Sequence, residues 1–149
     1  MRLNYRVLDA GWAKVEISCD EAHIELTASY LHDSLRDLAS AALALVNGAR
    51  EVTVIFMDEP GEHHVVFRRA DGENVDLDIL WYSDYKSWGI GSGPAEIRLS
   101  CHTRLAHVRG QVFSALKEIL AEDGIDGYRE KWEYEFPLKE YEALCEKAG

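Results

Sequence analysis

His63 and His64 stand side by side in a run of alternating apolar residues, where metal chemistry would first be sought. Neighbouring residues of a strand point to opposite faces, so one ion cannot easily draw on both imidazoles. The nearby Glu59 and Glu62 sit at a turn, and His64 is expected to meet Asp78 as an ordinary cross-strand neighbour. His102 and His107 lie five apart, which turns them roughly 140° from one another on a helix, whereas zinc-binding helix pairs are spaced by four. The stretch from Trp88 to Pro94 contains a GxGxG pattern, but a phosphate cradle wants its glycines between a strand and a helix N-terminus. Here Pro94 and another strand follow, so the stretch reads as a hairpin loop. The alternating acids Asp71/Glu73 and Asp76/Asp78 do not make a calcium loop, because Val75 fills a ligand position. No GxSxG elbow occurs, and Cys101 beside His102 is adjacency in sequence rather than a catalytic dyad. No catalytic, metal-ligating or cofactor-binding residue is assigned.

Charge narrows the partner classes. The 149 residues include 27 acidic and 16 basic ones, for a formal net charge of −11. Nucleic-acid binding draws on a basic surface that displaces counterions, so nucleic acid is excluded, and anionic membrane surfaces are disfavoured in the same way. The longest apolar run, Leu38 to Val46, falls well short of the roughly 20 residues that cross a bilayer. The N-terminus alternates like a strand instead of presenting the apolar core of a signal peptide. Three cysteines, Cys19, Cys101 and Cys145, are widely spaced with no CxxC, and all three read as reduced thiols of a cytoplasmic protein.

The elements that position these groups follow from periodicity. Leu3, Tyr5 and Val7, then Ala13, Val15, Ile17 and Cys19, then Ile24, Leu26 and Ala28 alternate with polar residues and predict three strands. A loop ending at Gly11 sets Leu3, Tyr5 and Val7 against Ile17, Val15 and Ala13. Leu35, Leu38, Ala39, Ala42, Leu43 and Val46 recur at helical spacing behind Asp33 or Ser34 as cap, with Asn47-Gly48 as stop. Four more strands are expected between 51 and 101, the last formed by Ala95, Ile97, Leu99 and Cys101. The Pro60-Gly61 turn places Phe56 by His63 and Val54 by Val65. A three-residue loop with Gly72 pairs Phe67 with Val75, Val65 with Leu77, His63 with Ile79 and His64 with Asp78. A second helix is expected from about Thr103 to Glu122, then an acidic tail with a brief helix after Pro137. The fold class is α+β in a single domain, 1–149. Its antiparallel, meander-type sheet of about seven strands carries two main helices packed mainly on one face, with a short C-terminal helix.

The other sheet face is the candidate site. It gathers Leu8, Trp12, Ile55, Met57, Val66, Leu80 and Tyr82 among His64, Arg68, Asp76 and Asp78. Apolar and aromatic groups ringed by charge have the make-up of an interface, so Trp12, Ile55, His64, Asp76, Asp78 and Tyr82 are the candidate partner-binding residues. Acidic side chains would speed the encounter with a basic protein, while Trp12 and Tyr82 would supply most of the affinity. A homodimer through this face is the alternative partner. A small-molecule or enzymatic pocket near Trp81, Trp88 and His102 is another reading, and a purely structural homo-oligomer is a third.

Three local patterns carry a resemblance: Tyr30-Leu31-His32-Asp33-Ser34-Leu35-Arg36-Asp37-Leu38, the turn Asp58-Glu59-Pro60-Gly61-Glu62, and the closing Tyr128…Trp132…Phe136-Pro137-Leu138. Together they resemble small bacterial proteins that include immunity proteins of polymorphic toxin systems. The resemblance implies a non-enzymatic binding role and transfers no functional residue, since the patterns read as a helix start, a turn and a packing corner.

Overall fold

The computed structural model describes residues 1–91 and 93–147, so Ser92 of the glycine-rich loop and the last two residues lie outside the described residues. The alternating segments form strands β1 (Arg2–Val7), β2 (Trp12–Cys19), β3 (Ala22–Ser29), β4 (Glu51–Met57), β5 (Glu62–Arg69), β6 (Asn74–Tyr82) and β7 (Glu96–Arg104). The 3.6-periodic segments form α1 (Ser34–Val46), α2 (Leu105–Trp132) and α3 (Leu138–Glu146), with a 3-10 turn at Lys86–Trp88. The class is α+β and every strand pairing is antiparallel.

The strands form two sheets, β1-β2-β3 and β4-β5-β6-β7, rather than the one expected. Where a β3–β4 ladder would have continued the meander, side chains span the gap. Thr27 Oγ1 donates to Asp58 Oδ2 and Ser29 Oγ to Glu59 Oε2, each at 2.8 Å. At the other edge of the larger sheet, Cys19 at the end of β2 is bonded to Cys101 of β7, with Cα atoms 6.3 Å apart. This corrects the reading of three reduced thiols. The two cysteines are 82 residues apart in sequence, and only the approach of the two sheets makes them neighbours. Cys145 is free and exposed.

Register follows the expected pairing in two of the three hairpins examined from sequence. Leu3, Tyr5 and Val7 face Ile17, Val15 and Ala13, and Phe56 and Val54 face His63 and Val65. Gly11 turns with φ +77°, and a Cβ there would sit 2.5 Å from Tyr30 Cδ1, so glycine is required. The β5–β6 hairpin is shifted by two residues from the expected register. Its loop is Asp71–Glu73, closed by the Ala70 N–H donating to the Asn74 carbonyl at 2.8 Å. Phe67 therefore pairs with Leu77, Val65 with Ile79, His63 with Trp81 and His64 with Leu80. Because side chains repeat every two residues, this slip leaves each on its expected face.

The inner face of the larger sheet packs Val54, Phe56, Val65, Phe67, Val75, Leu77 and Ile79 into one cluster with Leu35 and Leu45 of α1 and Val112 and Leu116 of α2. Each such side chain, fully buried, favours folding by about 1.5–3 kcal/mol. Asp33 sits at the α1 N-cap position without making a side-chain cap; its Oδ1 instead accepts from Trp132 Nε1 at 3.1 Å. The second helix begins and ends later than expected. β7 runs on to Arg104, and α2 continues past a break at Gly124 (φ 68°, ψ 177°). The segment read as tail thereby turns Tyr128 and Trp132 fully into the core. Phe136 meets Tyr128 edge-on at 5.5 Å, closing the packing corner. Among the described residues no helix is long and apolar enough to cross a membrane.

Candidate functional site

The helices share a core with the inward residues of the larger sheet and leave its outer face partly open. Pairing across the strands lays out that face in rows. One row reads Ile55, His64, Leu80 and Ile97. The first three are partly exposed and Ile97 is 68% exposed. The adjacent rows are Thr53, Val66, Asp78 and Ser100, then Glu51, Arg68, Asp76 and His102. On the other side lie Met57, Glu62 and Tyr82.

Ion pairs organise the charged rows. Arg68 reaches Glu51 Oε1 at 2.6 Å with Nε and Asp78 Oδ2 at 2.7 Å with Nη1. Ser100 Oγ donates to the other Asp78 oxygen at 2.6 Å. The Ser100 hydrogen bond, with Arg68 adding to it against partial desolvation, holds the Asp78 carboxyl below its usual range. Asp76 Oδ1 contacts His102 Nδ1 at 2.5 Å. Asp20 from the β2–β3 turn joins Arg68, Asp76, Asp78, Ser100 and His102 in lining a shallow depression of about 330 Å³. Three carboxylates thus line it against one guanidinium, so the floor remains acidic.

Glu62 anchors the apolar end. Its side chain is fully buried and accepts from Ser87 N and Ser87 Oγ, both at 3.0 Å, while its other oxygen contacts His64 Nε2 at 2.5 Å. A buried carboxylate needs such partners. Glu62 therefore pins the 3-10 turn over this end of the sheet and fixes the His64 ring, which packs on Tyr82 at 4.6 Å. α1 holds the opposite edge. Asp37 Oδ2 accepts the Ile55 N–H and Ser34 Oγ donates to the Ile55 carbonyl, each at 2.9 Å.

Five of the six candidate residues, Ile55, His64, Asp76, Asp78 and Tyr82, share this outer face. Trp12 is not brought to it: it lies in the smaller sheet, opposite Ser29. Leu8 follows β1 on that same sheet, and Met57 and Val66 are buried. The expected His64–Asp78 pair is absent, because the two-residue slip gives His64 to Leu80 and Asp78 to Val66. Ile97, Ser100 and His102 complete the face, although simple alternation groups Ile97 with Leu99. A bulge at Arg98 shifts the β6–β7 register between Ile79 and Leu80, so Leu99 turns inward beside Ile79 while Ile97 turns outward beside Leu80.

His63 lies on the inner face, 7% exposed, with its ring 4.6 Å from Trp81 and Nδ1 unpaired among the described residues. Burial, helped by the Arg98 charge, lowers its pKa to about 4. Trp81 and Trp88 line neither of the depressions at His102, so the residues considered for a pocket do not converge. No group of three or more His, Cys, Asp or Glu among the described residues is arranged to hold a metal ion.

No protein-family model matches the chain, and no curated protein matches it. Among solved structures, the chain is similar to one of the CdiA-CT/CdiI toxin and immunity complex from Enterobacter cloacae, at 11% identity and a TM-score of 0.48, covering 77% of this chain and 97% of that one.

Proposed function

We propose that the chain is a single-domain, non-enzymatic protein-binding module, of the immunity type, that docks a basic protein on the outer face of its four-stranded sheet. One observation carries this reading. The helices leave that face partly open, with the row Ile55–His64–Leu80–Ile97 running beside two rows that carry Asp78, Asp76 and Glu51 around Arg68. Apolar groups there would supply affinity once desolvated, and Asp20, Glu51, Asp76 and Asp78 would steer a basic partner and set its register. The net charge of −11 adds long-range attraction of the same sign. The Cys19–Cys101 bridge counts against a cytoplasmic setting, since disulfides are rare in the cytosol.

The test is co-expression with the product of the adjacent gene, followed by calorimetric titration at low and high salt with wild type and Leu80→Glu. The reading expects a complex that weakens as salt rises and is lost in Leu80→Glu while the circular dichroism spectrum is unchanged. A complex formed equally well by Leu80→Glu, or one insensitive to salt, would overturn it.

A further inference from the structure

The two edges of the four-stranded sheet are closed differently. On β4, α1 occupies the edge through the Asp37 and Ser34 contacts to the Ile55 peptide groups. On β7, the β2–β3 turn holds the far half, since Cys101 is bonded to Cys19 and Asp20 lines depressions shared with Cys101, His102, Thr103 and Arg104. Among the described residues the near half, Glu96-Ile97-Arg98, has no strand on the side away from β6 and is exposed, as are Trp88 and Ile90 in the preceding loop. Apolar groups on an unpaired edge make a template for another strand, and native proteins normally blunt or cover such an edge.

This edge carries its own complement. Antiparallel pairing about a two-fold axis at Ile97 sets Ile97 against Ile97 of the second copy. It sets Glu96 against Arg98 of the second copy, twice by symmetry. Directly opposed residues share a face, and Glu96 and Arg98 do share one. Arg98 Nε lies 3.4 Å from Glu96 Oε1, and its guanidinium stands 5.4 Å from the ring centre of Trp81, the cross-strand neighbour of Glu96. The bulge makes this possible by keeping Leu99 in the core while Arg98 stays over Trp81. Two-fold interfaces must be self-complementary, and this tripeptide is. We propose that the open half of β7 is a dimerisation edge whose occupant is a second copy of this chain, joining two four-stranded sheets into one. The edge shares only Ile97 with the rows proposed to dock a basic partner, while Glu96 and Arg98 lie on the Trp81 side, so Leu80→Glu tests the one assignment and the Glu96/Arg98 charge swap the other.

The test is sedimentation equilibrium of the full chain over a wide concentration range, with wild type, Glu96→Lys, Arg98→Glu and an equimolar mixture of the two variants. Wild type is expected to rise from 16.9 kDa towards twice that mass with concentration. Each variant alone opposes like charges and should weaken self-association about tenfold. The mixture should restore it, because each new lysine then faces a new glutamate across the two-fold, something no intrachain contact can reproduce. A wild-type mass that stays at one chain overturns the proposal. So does a dimer that both variants leave unchanged, or a mixture no tighter than its components.

Discussion

Asp37→Ala should loosen the grip of α1 on β4 at one peptide group. In the wild type the Ile55 N–H points to Asp37 Oδ2 at 2.9 Å, so its protection rests on that carboxylate. A hydrogen bond to a charged group is worth about 1.5–3 kcal/mol net, and partial exposure of Asp37 favours the lower half of that range. Asp37 also lies in the first turn of α1, where a negative charge adds about 0.3–1 kcal/mol against the helix dipole. The contact with His32 Nε2 at 2.9 Å is a surface pair and adds little. The expected loss is about 2–3 kcal/mol for alanine. It is about 1 kcal/mol for Asp37→Asn, which keeps an acceptor oxygen and forfeits the charge. For a chain of this size the alanine variant should melt roughly 8 °C lower. Urea unfolding gives the two free energies, and native-state hydrogen exchange gives the Ile55 amide. Equal losses in the two variants, or an Ile55 amide as protected in Asp37→Ala as in wild type, would refute the reasoning.

Two further outcomes follow from the core. The Cys19–Cys101 bridge closes a loop of 82 residues' separation, for which chain entropy sets an upper contribution of about 4.5 kcal/mol. Cys19→Ser should therefore destabilise by about 2–4 kcal/mol in urea, and thiol titration of the denatured wild type should find only Cys145 reactive before reduction. His63 is neutral when folded, with its pKa lowered to about 4 by burial first and then by Arg98. The unfolded chain thus binds the extra proton as pH falls from about 6.5 to 4, and stability drops over that window by up to roughly 3 kcal/mol. His63→Gln should flatten the stability profile there, and a profile unchanged by the substitution would refute the assignment.

How much of this was legible from residues alone varies by element. The β1–β2 and β4–β5 registers followed from alternation and turn length, because a face that packs on a core penalises every odd slip. The β5–β6 hairpin shows the limit of that rule: alternation cannot distinguish slips of two, and the choice of Asp71–Glu73 as loop was made by local turn bonds. The outer face was recognisable through Ile55, His64, Asp76, Asp78 and Tyr82, since its residues are those that alternate with the core. The outward turn of Ile97 was not legible, because a bulge leaves no mark in hydrophobic periodicity.

Composition and periodicity by themselves determined the class, the strand and helix order, the inward sets of β1 to β6 and the acidic character, all consequences of short-range geometry and summed charge. Tertiary structure alone decided the division into two sheets, the pairing of Cys19 with Cys101, the burial of Tyr128 and Trp132, and which edge of the larger sheet remains open. Each of these depends on groups distant in sequence meeting in space, and a local pattern holds no information about which distant surface arrives to cover it.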